Sequence, residues 1–251
     1  MVPATSWRLG GAATICYDVL GKVSPISRSR KMAELRFTER NGEPGRFAWL
    51  FSGSTSEARP VFDDVLWQSA ELAILPTRGS IVPGWHLVVP RRPLPNMLSM
   101  YHSRAVVPNE VAGQISAHLR VDGRQTLWFE HGAVSSRTPL GCGVDQAHLH
   151  VIVNVPFSFR TFLLASEEQS DQRWATGDFV DLADDIQADE EFYMFGIGHE
   201  AASLRRPSKP TSQFFRKIVA KLTNKIDKWD YRNNDFIDNV HATIQSWRAS
   251  S

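Results

Sequence analysis

The sequence predicts an α+β fold built on an antiparallel sheet. Three observations carry the prediction: a hairpin pattern over 65–90, an amphipathic helical pattern over 109–119, and strand patterns at 126–132 and 146–153. The order hairpin, helix, strand, strand argues for a meandering sheet with packed helices rather than alternating βα units. At 251 residues the chain can bury a substantial core.

Residues 1–60 form an N-terminal segment of uncertain structure. Glu34 to Thr38 alternates weakly, Asn41-Gly42 and Pro44-Gly45 mark turns, and the Ser- and Arg-rich stretch from Pro25 to Lys31 reads as a mobile surface segment. Phe47 to Phe51 is a short apolar block before a Ser-rich loop. Residues 61–156 form the core. Val65-Leu66-Trp67 and Leu72 to Leu75 read as strand, and Pro83-Gly84 suits the central positions of a type II turn. His86 to Val89 is then a second strand, antiparallel to the first. Asn109 is an N-cap candidate, with Val111, Ala112, Ile115 and Leu119 at helical spacing. Thr126 to Gly132 is a further strand. Residues 157–251 form a C-terminal extension: an acidic stretch over 166–191 with Phe179, Val180, Leu182 and Ile186 in a helix, a strand over Glu191 to Gly196, a helix opening at Pro210, and a closing helix from Asn239 to Trp247. The acidic stretch can clamp to the basic run from Arg205 to Lys221.

Bulk properties narrow the function classes. A formal net charge of +1 gives no global electrostatic case for a nucleic acid polymer or an anionic membrane. Cys16 and Cys142 form no CxxC pair and no disulfide framework, which fits a reducing compartment. No apolar run is long enough to span a bilayer, and the first residues lack a basic start followed by an apolar block. A cytoplasmic protein is expected.

The chemistry concentrates in Gln146-Ala147-His148-Leu149-His150-Val151-Ile152-Val153. With period two, Gln146, His148, His150 and Ile152 share one strand face. Polar atoms in such a row are either satisfied inside the protein or face a site. Three readings follow. The histidines can be satisfied residues of a half-exposed strand. They can hold a metal ion with a third ligand drawn from His131, Glu130 or His86. Or a neutral imidazole can attack phosphorus while its other nitrogen is held by a hydrogen bond.

The run 146–152 resembles the signature of the histidine triad (HIT) superfamily, His-φ-His-φ-His-φ-φ with φ apolar. Thr77 to Pro93, with its Pro-Gly turn and Leu87-Val88-Val89-Pro90 strand, resembles that family's first hairpin. Phe129-Glu130-His131-Gly132 and Gly141-Cys142-Gly143-Val144-Asp145 resemble a longer branch of it. Together these cover about residues 62–156. Ser212 to Lys217 and Trp229 to Arg232 are more loosely similar to the same branch.

The resemblance implies a HIT-like sheet-and-helix core and an enzyme acting at the α-phosphorus of a small-molecule nucleotide conjugate. His148 takes the nucleophilic position and forms a covalent nucleotidyl-imidazole; His150 contacts phosphate; Thr77 meets the ribose. The family's first histidine is Gln146 here, which can exchange hydrogen bonds but carries no charge near neutral pH. His131 is an acid for the leaving group, a partner that supports the reacting histidines from behind, or a surface histidine before a glycine turn. Backbone N–H groups of the loop, Gly143 among them, would cradle the phosphate. Thr211, Ser212 and Gln213 at a helix N-terminus, with Arg216 in the basic run, form a second phosphate-binding candidate. Cys142 reads as a tight-turn residue rather than a reactive thiol. No cofactor and no metal are implied, and a homodimer through a sheet edge is. Phosphoanhydride, phosphoramidate and phosphoester bonds all stay open. A catalytically weak nucleotide-binding protein and a metal-dependent enzyme using His148 and His150 are the alternatives.

Overall fold

In the computed structural model, residues 47–52, 59–135, 138–141 and 146–251 are described. The expectations for the turns and surface segment before residue 47 therefore lie outside the described residues, as do Cys142 and Gly143.

Among the described residues eight strands form one sheet. In chain order they are β1 (Trp67–Gln68), β2 (Leu72–Pro76), β3 (Trp85–Pro90), β4 (Leu127–Gly132), β5 (Leu149–Ile152), β6 (Ala175–Gly177), β7 (Phe192–Ile197) and β8 (Ala202–Arg205). Their spatial order is β1-β2-β3-β5-β4-β7-β8-β6, every neighbouring pair antiparallel. The helices are α1 (Trp49–Ser52), α2 (Leu98–His102), α3 (Pro108–Leu119), α4 (Phe159–Ser170), α5 (Phe179–Asp184), α6 (Phe214–Leu222) and α7 (Ile237–Ser250). The α+β class holds.

The simple meander does not. After β3 the chain makes α2 and α3 and runs β4 one strand position further on. Only then does it return to fill the gap as β5. The strand carrying the histidines is thus central, hydrogen-bonded on both sides and buried along its length. It is also shorter than its pattern suggests. Residues 146–148 lead into it without pairing as strand, because Ala147 N–H donates to the Leu94 carbonyl (2.7 Å) and the Gln146 side chain is bound to the same segment.

The register decides which side chains share a face. Leu87 and Phe129 both lie opposite His150, and Trp85 and Leu127 lie opposite Ile152. His86 pairs with Val151 and so points the other way, as does Glu130, one residue beyond Phe129. Of the three side chains that could complete a metal set, only His131 stands on the histidine face.

Helices cover both faces. On the histidine face α4 and α6 bury Phe159, Phe162, Phe214 and Phe215 in a cluster with Phe195 and Trp174. On the other, α3 buries Val111, Ala112, Ile115 and Leu119. That helix begins one residue before Asn109, with Pro108 in its first turn and Val107 as N-cap. Asn109 instead accepts a hydrogen bond from the Trp128 indole. β2 and β3 are joined by the loop 77–84, whose tight turn falls at Arg78-Gly79; Pro83-Gly84, expected at the centre of a type II turn, instead bends the end of that loop, with φ +76° at Gly84. Thr243 of α7 accepts the Gly84 N–H at 2.9 Å.

The chain beyond residue 157 adds three of the eight strands to the same sheet, joined through β4 and β7. Its acidic and basic runs do meet: Arg206 pairs with Glu190 (3.0 Å) and Asp185 (3.1 Å), and Lys221 with Glu168 (2.8 Å). These contacts are largely solvated, so each contributes little. Among the described residues no helix is long and apolar enough to cross a membrane.

Glu130, 1% exposed, accepts the Met97 N–H at 2.7 Å. Burial pushes its carboxyl up from 4.5 to about 7. Because the folded pKa exceeds the unfolded one, its contribution is lost as pH rises from 4.5 through 7. A Glu130→Gln variant keeps an acceptor for Met97 and removes this titration. Urea unfolding should show the variant gaining on wild type by about 3 kcal/mol between pH 4.5 and 8. A difference independent of pH would refute the assignment.

Candidate functional site

A cavity opens on the histidine face of the sheet, spanning about 670 Å3 with the open solvent at its mouth included. His131, His148 and His150 line it, with Thr77 and Arg78 from the loop between β2 and β3 and Gln213 and Arg216 from the start of α6. Phe47, Leu140 and Tyr231 supply further walls.

One hydrogen bond sets the tautomer of each imidazole. Nδ1 of His148 lies 2.9 Å from the Gln146 carbonyl. A carbonyl can only accept, so Nδ1 carries the proton and the lone pair of the neutral ring is on Nε2. His150 is the reverse. The Trp85 indole N–H donates to its Nδ1 at 3.0 Å, which places the hydrogen of the neutral ring on Nε2. Nε2 of His131 accepts the Phe215 N–H at 3.3 Å, leaving its proton on Nδ1. The His148 and His150 rings are 4.8 Å apart between centroids, and those of His131 and His150 6.1 Å. His150 is further fixed by stacking on Phe129 at 4.5 Å. Burial, aided by the nearby Arg216 guanidinium and by His148 whenever that ring is protonated, lowers the His131 pKa to about 3 and keeps that ring neutral. The site therefore holds an imidazole lone pair beside an imidazole N–H donor.

Two described cations face the cavity. Arg78 and Arg216 line it, and no described lining residue carries a carboxylate. Arg216 is 4% exposed; its Nε donates to the Trp229 carbonyl at 3.0 Å, one terminal nitrogen donates to the Gly79 carbonyl, and the guanidinium stands over Trp85 at 4.8 Å. A cation held this way is a fixed charge facing whatever enters.

Of the residues singled out in the sequence, Thr77, His131, Gln146, His148, His150, Gln213 and Arg216 all border this cavity. Ser212 is not among its lining residues. The second phosphate-binding candidate is rearranged. Helix α6 begins only at Phe214, after Gln213 at φ +56°, and the Phe215 N–H is given to His131. Thr211 is bound through both its N–H and its carbonyl to the Tyr193 hydroxyl. Gln146 holds backbone in place. Its Nε2 donates to the Pro90 and Arg92 carbonyls (2.9 and 2.8 Å) and its Oε1 accepts the Leu94 N–H at 3.3 Å, clamping the segment after β3.

Trp85, Arg78 and Tyr231 are contributions that sequence reasoning did not assign. Trp85 could be found only through the strand register, which brings it diagonally to His150. Tyr231 sits in the stretch 229–232, where the likeness to the HIT branch was loosest. Trp85→Phe keeps most of the core volume and removes the indole N–H. We expect kcat/KM to fall about 10- to 100-fold, as for other hydrogen bonds that orient a functional imidazole. Freed of its donor, His150 Nδ1 can then take a proton, so a new acid limb should appear in the pH–rate profile. An unchanged profile would show that the indole bond does not set the tautomer.

Compared with family models and with curated proteins, the sequence matches none.

Proposed function

We propose that the protein is a nucleotide-conjugate hydrolase or nucleotidyl transferase acting at the α-phosphorus through His148. The observation that carries this reading is the pairing of a His148 ring whose lone pair is directed to Nε2 with a cation-lined cavity free of described carboxylates. A phosphoryl group is an anion, and attack on it is helped by positive charge and donors around its equatorial oxygens. In this reading His148 Nε2 forms a bond to phosphorus as the bond to the leaving group breaks. The His150 Nε2–H donates to a non-bridging oxygen, and Arg216 supplies fixed positive charge. Water or another acceptor then displaces the nucleotidyl group and regenerates His148.

The test is chemical trapping. Wild-type protein incubated with a labelled adenylyl or guanylyl conjugate and quenched should carry a nucleotide adduct that is labile in acid and stable in base, as a phosphorus–imidazole bond is. Absence of both adduct and turnover across phosphoanhydride, phosphoramidate and phosphoester conjugates would sink the enzymatic reading.

One observation favours a second reading, a nucleotide-binding protein without turnover. The Gln146 amide is engaged with three backbone groups of the 90–94 segment and has nothing left to offer a leaving group. Tight nucleotide binding without adduct would select it.

A further inference from the structure

We infer that the group leaving phosphorus is itself a phosphate, received by Arg78 at the junction of the cavity with a neighbouring surface cleft. This deepens the reading above and rests on it.

The first observation is Arg78. Its guanidinium is close to two aromatic rings, 5.5 Å from the centroid of Phe62 and 5.9 Å from that of Tyr231. Its Nε is buried and makes no hydrogen bond, and among the described residues no carboxylate pairs with it. Arg216, by contrast, gives its donors to two backbone carbonyls. A guanidinium partly withdrawn from water without an anion is costly unless a ligand supplies one. Arg78 also lines both the histidine cavity and the cleft formed by residues 228–238. That cleft is electrically mixed: Lys228 and Arg232 are offset by Asp235 and Asp238. The anion preference therefore ends at Arg78, which suits one phosphoryl group next to the one attacked, with any further part of the leaving group in the cleft.

The second observation is independent and concerns protons. An amine leaving group must be protonated as it departs, since a free amine has a pKa of about 10. A phosphate that carries an ester or one proton leaves as a dianion, and that oxygen has a pKa of about 6, so it needs no acid. Among the described residues of the site no group is set up as an acid. The Gln146 amide is consumed by backbone. His131 and His150 each use one ring nitrogen to accept a hydrogen bond, which holds them neutral. A leaving group that needs no proton fits this arrangement.

The step balances without a further reactant. The His148 Nε2 electron pair forms the N–P bond, and the bridging P–O bond breaks with its pair remaining on the departing phosphate, which carries an ester or one proton on another oxygen and so leaves as a dianion. In the second step a water oxygen bonds to phosphorus, the N–P pair returns to Nε2, and the water proton passes to the released phosphate or to bulk water.

The experiment measures the Kd of a nucleoside 5′-monophosphate and of its 5′-diphosphate methylene analogue, with adenosine and guanosine series in parallel. For wild type the second phosphate should tighten binding by about 10- to 100-fold, the range for a charge-assisted hydrogen bond. In Arg78→Met that ratio should collapse to within about twofold of unity, and Arg78→Lys, which keeps the charge, should restore part of it. Wild type should also turn over a nucleoside diphosphate faster than the matching phosphoramidate. A wild-type ratio near one, a ratio that survives Arg78→Met, or a preference for the phosphoramidate would each overturn the inference. Failure of every nucleotide to bind is a different outcome: it refutes the nucleotidyl reading itself, and this inference with it.

Discussion

His148→Ala is expected to lose the nucleotide adduct entirely and to lower turnover by at least about 10³-fold, the scale on which removal of a nucleophile acts. The expectation follows from the geometry of one ring. The Gln146 carbonyl fixes the proton on Nδ1, and the strand entering at Leu149 fixes the ring beside His150. Neither neighbouring imidazole can substitute. His150 Nδ1 is held by Trp85 and His131 Nε2 by the Phe215 N–H, so each of those rings presents an N–H on its other nitrogen rather than a lone pair. His148 is only partly buried and lies outside the strand ladder, so its truncation should leave the fold intact. The check is a quenched-labelling gel with steady-state turnover, and a unfolding curve to show that the variant is folded. A variant that labels as well as wild type would place the nucleophile elsewhere.

What the sequence made legible was local. The alternation around His150 and the stripes of α3 and α6 are patterns of neighbours, and each produced its element within a few residues; Pro83-Gly84 marked the loop between β2 and β3 but not its tight turn, which falls at Arg78-Gly79. The sharing of one face by His148 and His150 follows from the period of two alone. Long-range choices were not legible. Insertion of β5 between β3 and β4 depends on which edge is left open for pairing, which no local period encodes. For the same reason Trp85 escaped notice: its bond to His150 crosses 65 positions of sequence. Gln146 shows a subtler limit. Its place in the His148 row is a matter of spacing, whereas its engagement with Pro90, Arg92 and Leu94 depends on how the segment after β3 folds back. Likewise Thr211, Ser212 and Gln213 look like a helix start, yet Gln213 adopts a left-handed conformation that delays the helix to Phe214. The gain is that α6 delivers Arg216 to the cavity and its Phe215 N–H to His131.

Gly79→Ala is expected to destabilise the protein by about 4 kcal/mol and to cripple the site at the same time. Gly79 has φ +67°, where a side chain costs about 1–2 kcal/mol. A Cβ there would stand 2.5 Å from the Tyr231 Cβ, 2.8 Å from the Tyr231 Cα and 2.9 Å from the Arg216 guanidinium. Two of those atoms belong to the chain close to its backbone and cannot swing aside, so overpacking adds about 1–3 kcal/mol. The Gly79 carbonyl is also the acceptor for buried Arg216, and loosening a hydrogen bond to a charged group costs about 1.5–3 kcal/mol. Thr77 and Arg78 precede this glycine directly, so any shift that relieves the clash moves the cation assigned to the leaving phosphate. The contrast is Gly113 in the middle of α3, where an added Cβ would meet only His199, at 4.0 Å. Gly113→Ala should stabilise by about 0.5–1 kcal/mol through helix propensity alone. Urea unfolding of the two variants, with nucleotide affinity measured on each, separates the accounts. If Gly79→Ala stays within about 0.5 kcal/mol of wild type, the close approach of the 231 segment to the Thr77–Gly79 loop is not what holds Arg216 in place.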